Sequence, residues 1–177
     1  MVNNGLKLNQ DKTELVLISS KFRCRPSLEF IQVVDEKIQP KRFARNLEVI
    51  IDQSLDLTDH VNKICVSCQY HLGNIAKIRK YVSEDTSQIL VHAFISSKLD
   101  NCNSLLYGLP VKHLLNRLRL IQNTAARIVT LSKRFDHITP ILFKLHWLPL
   151  GYRIHFKIQQ QQSSFIYRIT SLKMLFQ

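Results

Sequence analysis

Acidic residues all but vanish from the second half of this chain. Residues 101–177 carry 11 Lys/Arg and a single acid, Asp136, for a net of +10; residues 1–100 carry 14 Lys/Arg against 12 Asp/Glu, for a net of +2. A half without compensating acids sets up a long-range positive field, and such a field draws in polyanions through counterion release. RNA or DNA is therefore the partner to expect, with an anionic surface or plain solvation as the competing readings. Long apolar runs are also missing: none reaches the ~18 residues that would span a bilayer. Met1 is followed by polar Asn3 and Asn4 rather than by a basic-then-apolar leader, so a soluble intracellular chain without a membrane partner is expected, nuclear or cytoplasmic being left open. The four cysteines, Cys24, Cys65, Cys68 and Cys102, form no dense framework, which fits a reducing compartment. With 45% hydrophobic residues in 177, the chain can build a packed core as one large or two small domains.

Catalytic constellations are equally scarce. No Asp-Asp pair occurs, although two-metal nucleotidyl transfer needs carboxylates that fix two cations about 3.5–4 Å apart. Asp35-Glu36 is the nearest look-alike, but successive strand residues point to opposite faces, so it reads as a charged turn. Cys65-Val66-Ser67-Cys68 with His71 one turn on invites a zinc reading. A structural site needs four ligands, and no second close pair is present, so packing on an apolar helix face is expected instead and no metal ligand is assigned. His137 and His146 are the candidate bases, yet no nucleophile turn accompanies them, and packing or capping is expected. Trp147, the only tryptophan, reads as an anchor for the last two helices.

The pattern of what remains is strands first, helices after. β-rich stretches at residues 13–18, 30–34 and 47–51 predict a small antiparallel sheet over 13–52, with Pro26 and Pro40 in loops or at strand edges. From Thr58 to Val82 the period becomes helical, with Val61, Ile64, Cys65, Cys68, Leu72, Ile75, Ala76 and Val82 on one face and Asp56 or Thr58 as the cap. Ser83 caps a second helix with Ile89, Leu90, Ala93 and Phe94 inward. Gly108-Leu109-Pro110 breaks the chain. A third helix, Val111–Leu131, turns Leu114, Leu118, Ile121, Ala125 and Ile128 to the core. A second face of the same helix carries Lys112, Asn116, Arg119, Asn123 and Arg127. Cations and amides in such a stripe can contact successive phosphates without reading sequence. Pro140 starts a short helix, and a last helix begins near Leu150 with Tyr152, Ile154, Phe156 and Ile158. The element order predicts an α+β fold, mainly helical after its first third.

Several blocks, in order, carry a family resemblance. They are LKLNQDKTE at Leu6–Glu14, ARNLEVIID at Ala44–Asp52, HLGNIAKIRKY at His71–Tyr81 and SLLYGLP at Ser104–Pro110. They continue with Gln122–Arg127, His137–Pro140, Leu145–Pro149 and Arg153–Ile158. Over residues 3–158 the chain resembles the distal part of the reverse transcriptases of non-LTR, LINE-type retrotransposons, of the jockey-like and chicken-repeat kinds. The resemblance implies a truncated end-of-palm and primer-grip-like segment at 1–55, a helical thumb and connection region at 56–158 that holds a template–primer duplex, and a divergent tail at 159–177. It implies that Lys12 matches a position assisting pyrophosphate departure, and that the metal-binding aspartates lie upstream of Met1. Mg²⁺ would then belong to the intact enzyme and not to this segment, which has no cofactor of its own. Departures from the family pattern are Glu48 in place of a Gly, Asn101 in place of an aromatic, and the glutamine tract Gln159–Gln162 with the unrelated tail beyond it.

The function expected from all this is a fragment of an RNA-directed DNA polymerase of a mobile element. Lacking the catalytic aspartates, it is not an enzyme as an isolated chain, and it retains non-specific binding of RNA or RNA–DNA duplex through Lys112, Asn116, Arg119, Asn123 and Arg127. The alternatives are a non-functional transposon remnant and a helical protein-interaction module.

Overall fold

Val49, Ile50 and Ile51 favour extended backbone, and the best-formed β structure of the protein is built on them. The structure, a computed structural model, describes residues 9, 12–19, 28–33, 36–108 and 112–174, with side chains as far as residue 162 apart from that of Glu36. The fold is α+β, small β ladders followed by a mainly helical part. It divides into two compact units, residues 1–60 and 61–177.

In the first unit, β1 (Leu15–Val16) runs parallel to β4 (Pro40–Lys41), and β2 (Ile31–Val33) is antiparallel to β3 (Glu36–Ile38). β5 (Phe43–Asn46) and β6 (Val49–Asp52) form a hairpin in the register Phe43↔Asp52 and Asn46↔Val49. Among the described residues the single antiparallel sheet expected over 13–52 is thus replaced by three two-stranded ladders, one of them parallel. The strand expected at 47–51 is also displaced. Leu47 (φ 45°) and Glu48 (φ 70°) are its turn, both left-handed. A two-residue hairpin loop needs positive φ at both positions, which Asn-Gly usually supplies. Here β-rich letters run straight through the turn, so periodicity does not reveal it.

Asp52 ends the hairpin and shapes the exit. It is buried, and its Oδ1 accepts the amides of Ser54 at 2.9 Å and Asp56 at 3.3 Å. Asp56 Oδ1 in turn accepts the Thr58 amide at 3.0 Å, a local turn across left-handed Leu57 (φ 57°) that leads into α1 (Thr58–Ile78). Glu14 ties two ladders together: its carboxylate takes the Lys41 ammonium at 2.9 Å and the Arg45 amide at 3.1 Å. Those bonds, with the Lys41 charge, hold its pKa below the usual carboxylate range.

In the second unit, α1 buries Val61, Cys65, Cys68, Leu72 and Ile75. A 3₁₀ turn at Arg79–Tyr81 follows. α2 (Glu84–Val91) starts at Ser83, whose Oγ accepts the Thr86 amide at 3.1 Å. A π-helical turn, His92–Ser96, leads into α3 (Ser97–Asp100). Here the expected face is wrong: Ile89 and Phe94 are exposed, and the buried row is Ser87, Val91, Ile95 and Leu99. Steps of four drift around an ordinary 3.6-residue helix, and the wide π turn absorbs the drift. α4 (Lys112–Thr130) buries Leu114, Leu118, Ile121, Gln122, Ala125, Ala126 and Val129. α5 (Ile138–Lys144), with Pro140 in its first turn, and α6 (Leu150–Met174) complete the unit, and α6 runs on through the glutamine tract. Of the residues expected inward on α6, Ile154 is buried, with Leu150 beside it, and Tyr152 and Phe156 are exposed.

Three buried or half-buried polar groups join these helices. Arg79, 8% exposed, donates from Nε at 2.9 Å and Nη2 at 2.7 Å to the Val129 carbonyl, and from Nη1 at 2.9 Å to the Val82 carbonyl. Gln122 takes the Leu150 amide on Oε1 and gives Nε2 to the Leu148 carbonyl, both at 2.9 Å. Asp100 pairs with Arg153 through its carboxylate and accepts Lys157 Nζ on its carbonyl.

Candidate nucleic-acid interface

The stripe predicted on α4 is split by its own packing. Lys112, Asn116 and Arg119 lie on the solvent side, inside an arc of about 60° at 100° per residue, and all three are exposed. From Lys112 to Arg119 the helix rises about 10 Å, close to three nucleotides at about 3.4 Å each along a strand. Asn123 and Arg127, further along the same side, are half-buried. Arg127 gives Nη2 to the Asp136 carbonyl at 3.1 Å, and its buried Nε has no partner among the described residues. Three of the five predicted residues therefore form an open surface, and Arg127 is a strut for the turn beyond α4.

Much of the positive charge is used internally. Lys144 pairs with Glu84 at 2.8 Å, Arg153 and Lys157 hold Asp100, and Arg117 donates to Asn62 Oδ1. Exposed cations without a partner among the described residues in this half are Lys112, Arg119, Lys133 and Arg134. The last two were not singled out by periodicity, because they sit in the turn after α4. That turn is well tied. Asp136 N donates to the Lys133 carbonyl at 3.2 Å, and Asp136 Oδ2 accepts the Lys133 amide at 2.7 Å. The signal was present in the sequence as the lone acid of the half, placed three residues after Lys133.

The remaining candidates do not converge. Lys12 is exposed, and its amide donates to Asn9 Oδ1 at 3.3 Å in a local turn. Asp35 lies outside the described residues, as do Leu109 and Pro110 of the expected breaker; Gly108 takes φ 71°. Cys65 and Cys68 are core residues, and burial pushes the Cys68 thiol up to about 11. His71 stacks on Phe94 with ring centres 5.0 Å apart, and its Nε2 lies 3.4 Å from Lys98 Nζ. Among the described residues no group of three His, Cys, Asp or Glu could hold a metal ion. The packing or capping expected of the two histidines is not found. His137 occupies the N-cap position of α5 without a side-chain cap bond, and His146 is exposed in a left-handed turn at φ 55°. Trp147 is half-buried, edge-on to His92 at 5.4 Å.

An apolar groove of about 490 Å³ lies between α1 and α4, lined by Leu72, Gly73, Ala76, Leu120, Ile121 and Ile128, with Arg117 at its margin. Among the described residues no helix is long and apolar enough to cross a membrane. Comparison with protein-family models, with curated proteins and with solved structures gave no match to this chain.

Proposed function

We propose that this chain is part of a LINE-type reverse transcriptase whose helical unit grips RNA or RNA–DNA duplex through the exposed face of α4, in a sequence-tolerant and salt-dependent way. The observation that carries the reading is the exposed row Lys112, Asn116 and Arg119, without a partner among the described residues, in a half-chain of net +10. Phosphate contacts of this kind position a duplex and carry no base information. The ordered blocks of family resemblance supply the polymerase context. The 177 residues on their own do not polymerise nucleotides in this proposal, since the chain contains no adjacent pair of aspartates to fix two cations.

The test is the double variant Lys112→Glu with Arg119→Glu, read by fluorescence anisotropy on an RNA–DNA hybrid across a salt series. Removing one cation from a phosphate should flatten the slope of log K against log salt by about 0.9, so the pair should lose close to two such units and bind weakly at all salts. Unchanged affinity and slope would remove α4 as the contact. The rival reading, a helical protein-interaction module, draws on the α1–α4 groove. It predicts self-association without nucleic acid that high salt does not disperse.

A further inference from the structure

The turn after α4 displays an aromatic ring where folding has no use for one. Lys133 and Asp136 close it from both sides, the Asp136 amide on the Lys133 carbonyl and the Lys133 amide on the Asp136 carboxylate. Its two central residues are Arg134 and Phe135. Turn centres ordinarily hold Gly, Asn, Asp, Ser or Pro, each for a backbone reason. Phe135 is 92% exposed, the most exposed large apolar side chain among the described residues. The turn is also fastened to the end of α4. The Ser132 amide donates to the Arg127 carbonyl at 3.1 Å, Thr130 and Ser132 share a hydroxyl bond at 2.6 Å, and Arg127 Nη2 reaches the Asp136 carbonyl. So the only acid of the basic half is used to fix a turn that holds one ring in water directly after Lys133 and Arg134.

We propose that Phe135 is a stacking platform for an unpaired nucleobase next to the duplex held by α4, with Lys133 and Arg134 on the flanking phosphates. The proposal rests on the duplex-binding reading above and adds a second subsite to it. A ring beside cations is the pairing used for single strands: the aromatic face takes a base of any identity, and the cations track the backbone. The turn's tether to Arg127 keeps ring and duplex face in fixed relation, so the subsite should favour a hybrid with a protruding strand over a blunt one. Stacking on one aromatic side chain is worth about 5- to 150-fold in affinity, and that sets the size of the preference.

The experiment uses the full chain and two RNA–DNA hybrids, one blunt and one with a protruding strand whose first unpaired base is 2-aminopurine. The wild type should prefer the protruding end and change the emission of the 2-aminopurine on binding. Phe135→Ala should abolish both the preference and the emission change, and Phe135→Trp should restore them. Lys112→Glu with Arg119→Glu should weaken both hybrids together. Equal binding of the two hybrids by the wild type, with Phe135→Ala silent, overturns the stacking platform and leaves the α4 reading standing. No binding of either hybrid at low salt sinks both. A wild-type self-association in sedimentation that Phe135→Ala abolishes would make the ring a protein contact and overturn the proposal.

Discussion

Arg79 offers the sharpest test of how the helical unit is held. Its guanidinium has no carboxylate partner among the described residues; it gives three N–H groups to two backbone carbonyls. One of these, Val129, lies in the last turn of α4, where carbonyls lack intrahelical donors and the helix dipole presents its negative end. Hydrogen bonds from a charged donor are worth about 1.5–3 kcal/mol each, and a buried carbonyl left unpaired costs about 1–3 kcal/mol. Against this stands the cost of burying the guanidinium itself, which is recovered when the residue is removed. Arg79→Met keeps most of the apolar volume and deletes all three donors, so we expect a net loss of about 3 kcal/mol. Arg79→Lys keeps the charge but cannot span both carbonyls as the planar fork does, and should lose about half as much. Urea unfolding followed by far-UV circular dichroism reads the change as a midpoint shift at constant slope. If Arg79→Met stays within about 0.5 kcal/mol of wild type, the size of an ordinary surface substitution, the bolt between the 3₁₀ turn and α4 is not a stabilising element and the reasoning fails.

Two further outcomes come from positions of unusual backbone or burial. Glu48→Gly should stabilise the hairpin by about 1 kcal/mol, because glycine removes the left-handed penalty at φ 70°; the Arg45–Glu48 ion pair it sacrifices is solvent-exposed and subtracts little. Amide exchange across Phe43–Asp52 measures it, and faster exchange in the variant would contradict the turn assignment. Cys68 should make the protein alkali-sensitive. Its thiol is raised by burial to about 11, so the neutral form is favoured in the fold. That contribution is complete below the usual thiol value of about 8.5 and fades as pH climbs towards about 11, by about 3 kcal/mol in all. The stability of Cys68→Ala should fall less than wild type over the same window, and parallel pH profiles would refute the burial argument.

How much of this was legible in the sequence differs element by element. The course of α4, which ends one residue short of the expected Leu131, the Ser83 cap and the row Leu114, Leu118, Ile121 and Ala125 come from spacing and local chemistry, and the structure repeats them except for Ile128, which is half-buried. The Leu47-Glu48 turn was not legible, because neither residue carries a turn's signature and the strain is absorbed by the pairs on either side. Phe94 sits in a π turn that resets the helical phase, which nothing in composition marks, and Ile89 faces solvent because small Ser87, rather than a larger apolar residue, shares the buried side of α2 with Val91. Arg79 and Gln122 were missed for a third reason. Their partners across the helices are backbone groups 50 and 26 or 28 residues away, and a main-chain partner, like the nearby Val82 carbonyl of Arg79, leaves no letter in the sequence. The α4 stripe was half legible: a helical net shows which residues share a face, but not that the neighbouring turn reaches back to claim Arg127.

The Gln122 clamp has a consequence for how this protein tolerates insertions. Proline has no amide to offer, and Gln122 bonds the chain on either side of Pro149, at the Leu148 carbonyl and the Leu150 amide. The start of α6 is therefore clocked to α4 by a side chain, independently of the loop length before it. One residue added between Lys144 and Trp147 leaves that clock untouched. The same residue added between Leu150 and Arg153 turns everything beyond it by about 100° and carries Arg153 and Lys157, four apart on one side, away from Asp100. Length variation in this protein should accordingly fall in the loop before Pro149 and be absent from the first turn after it.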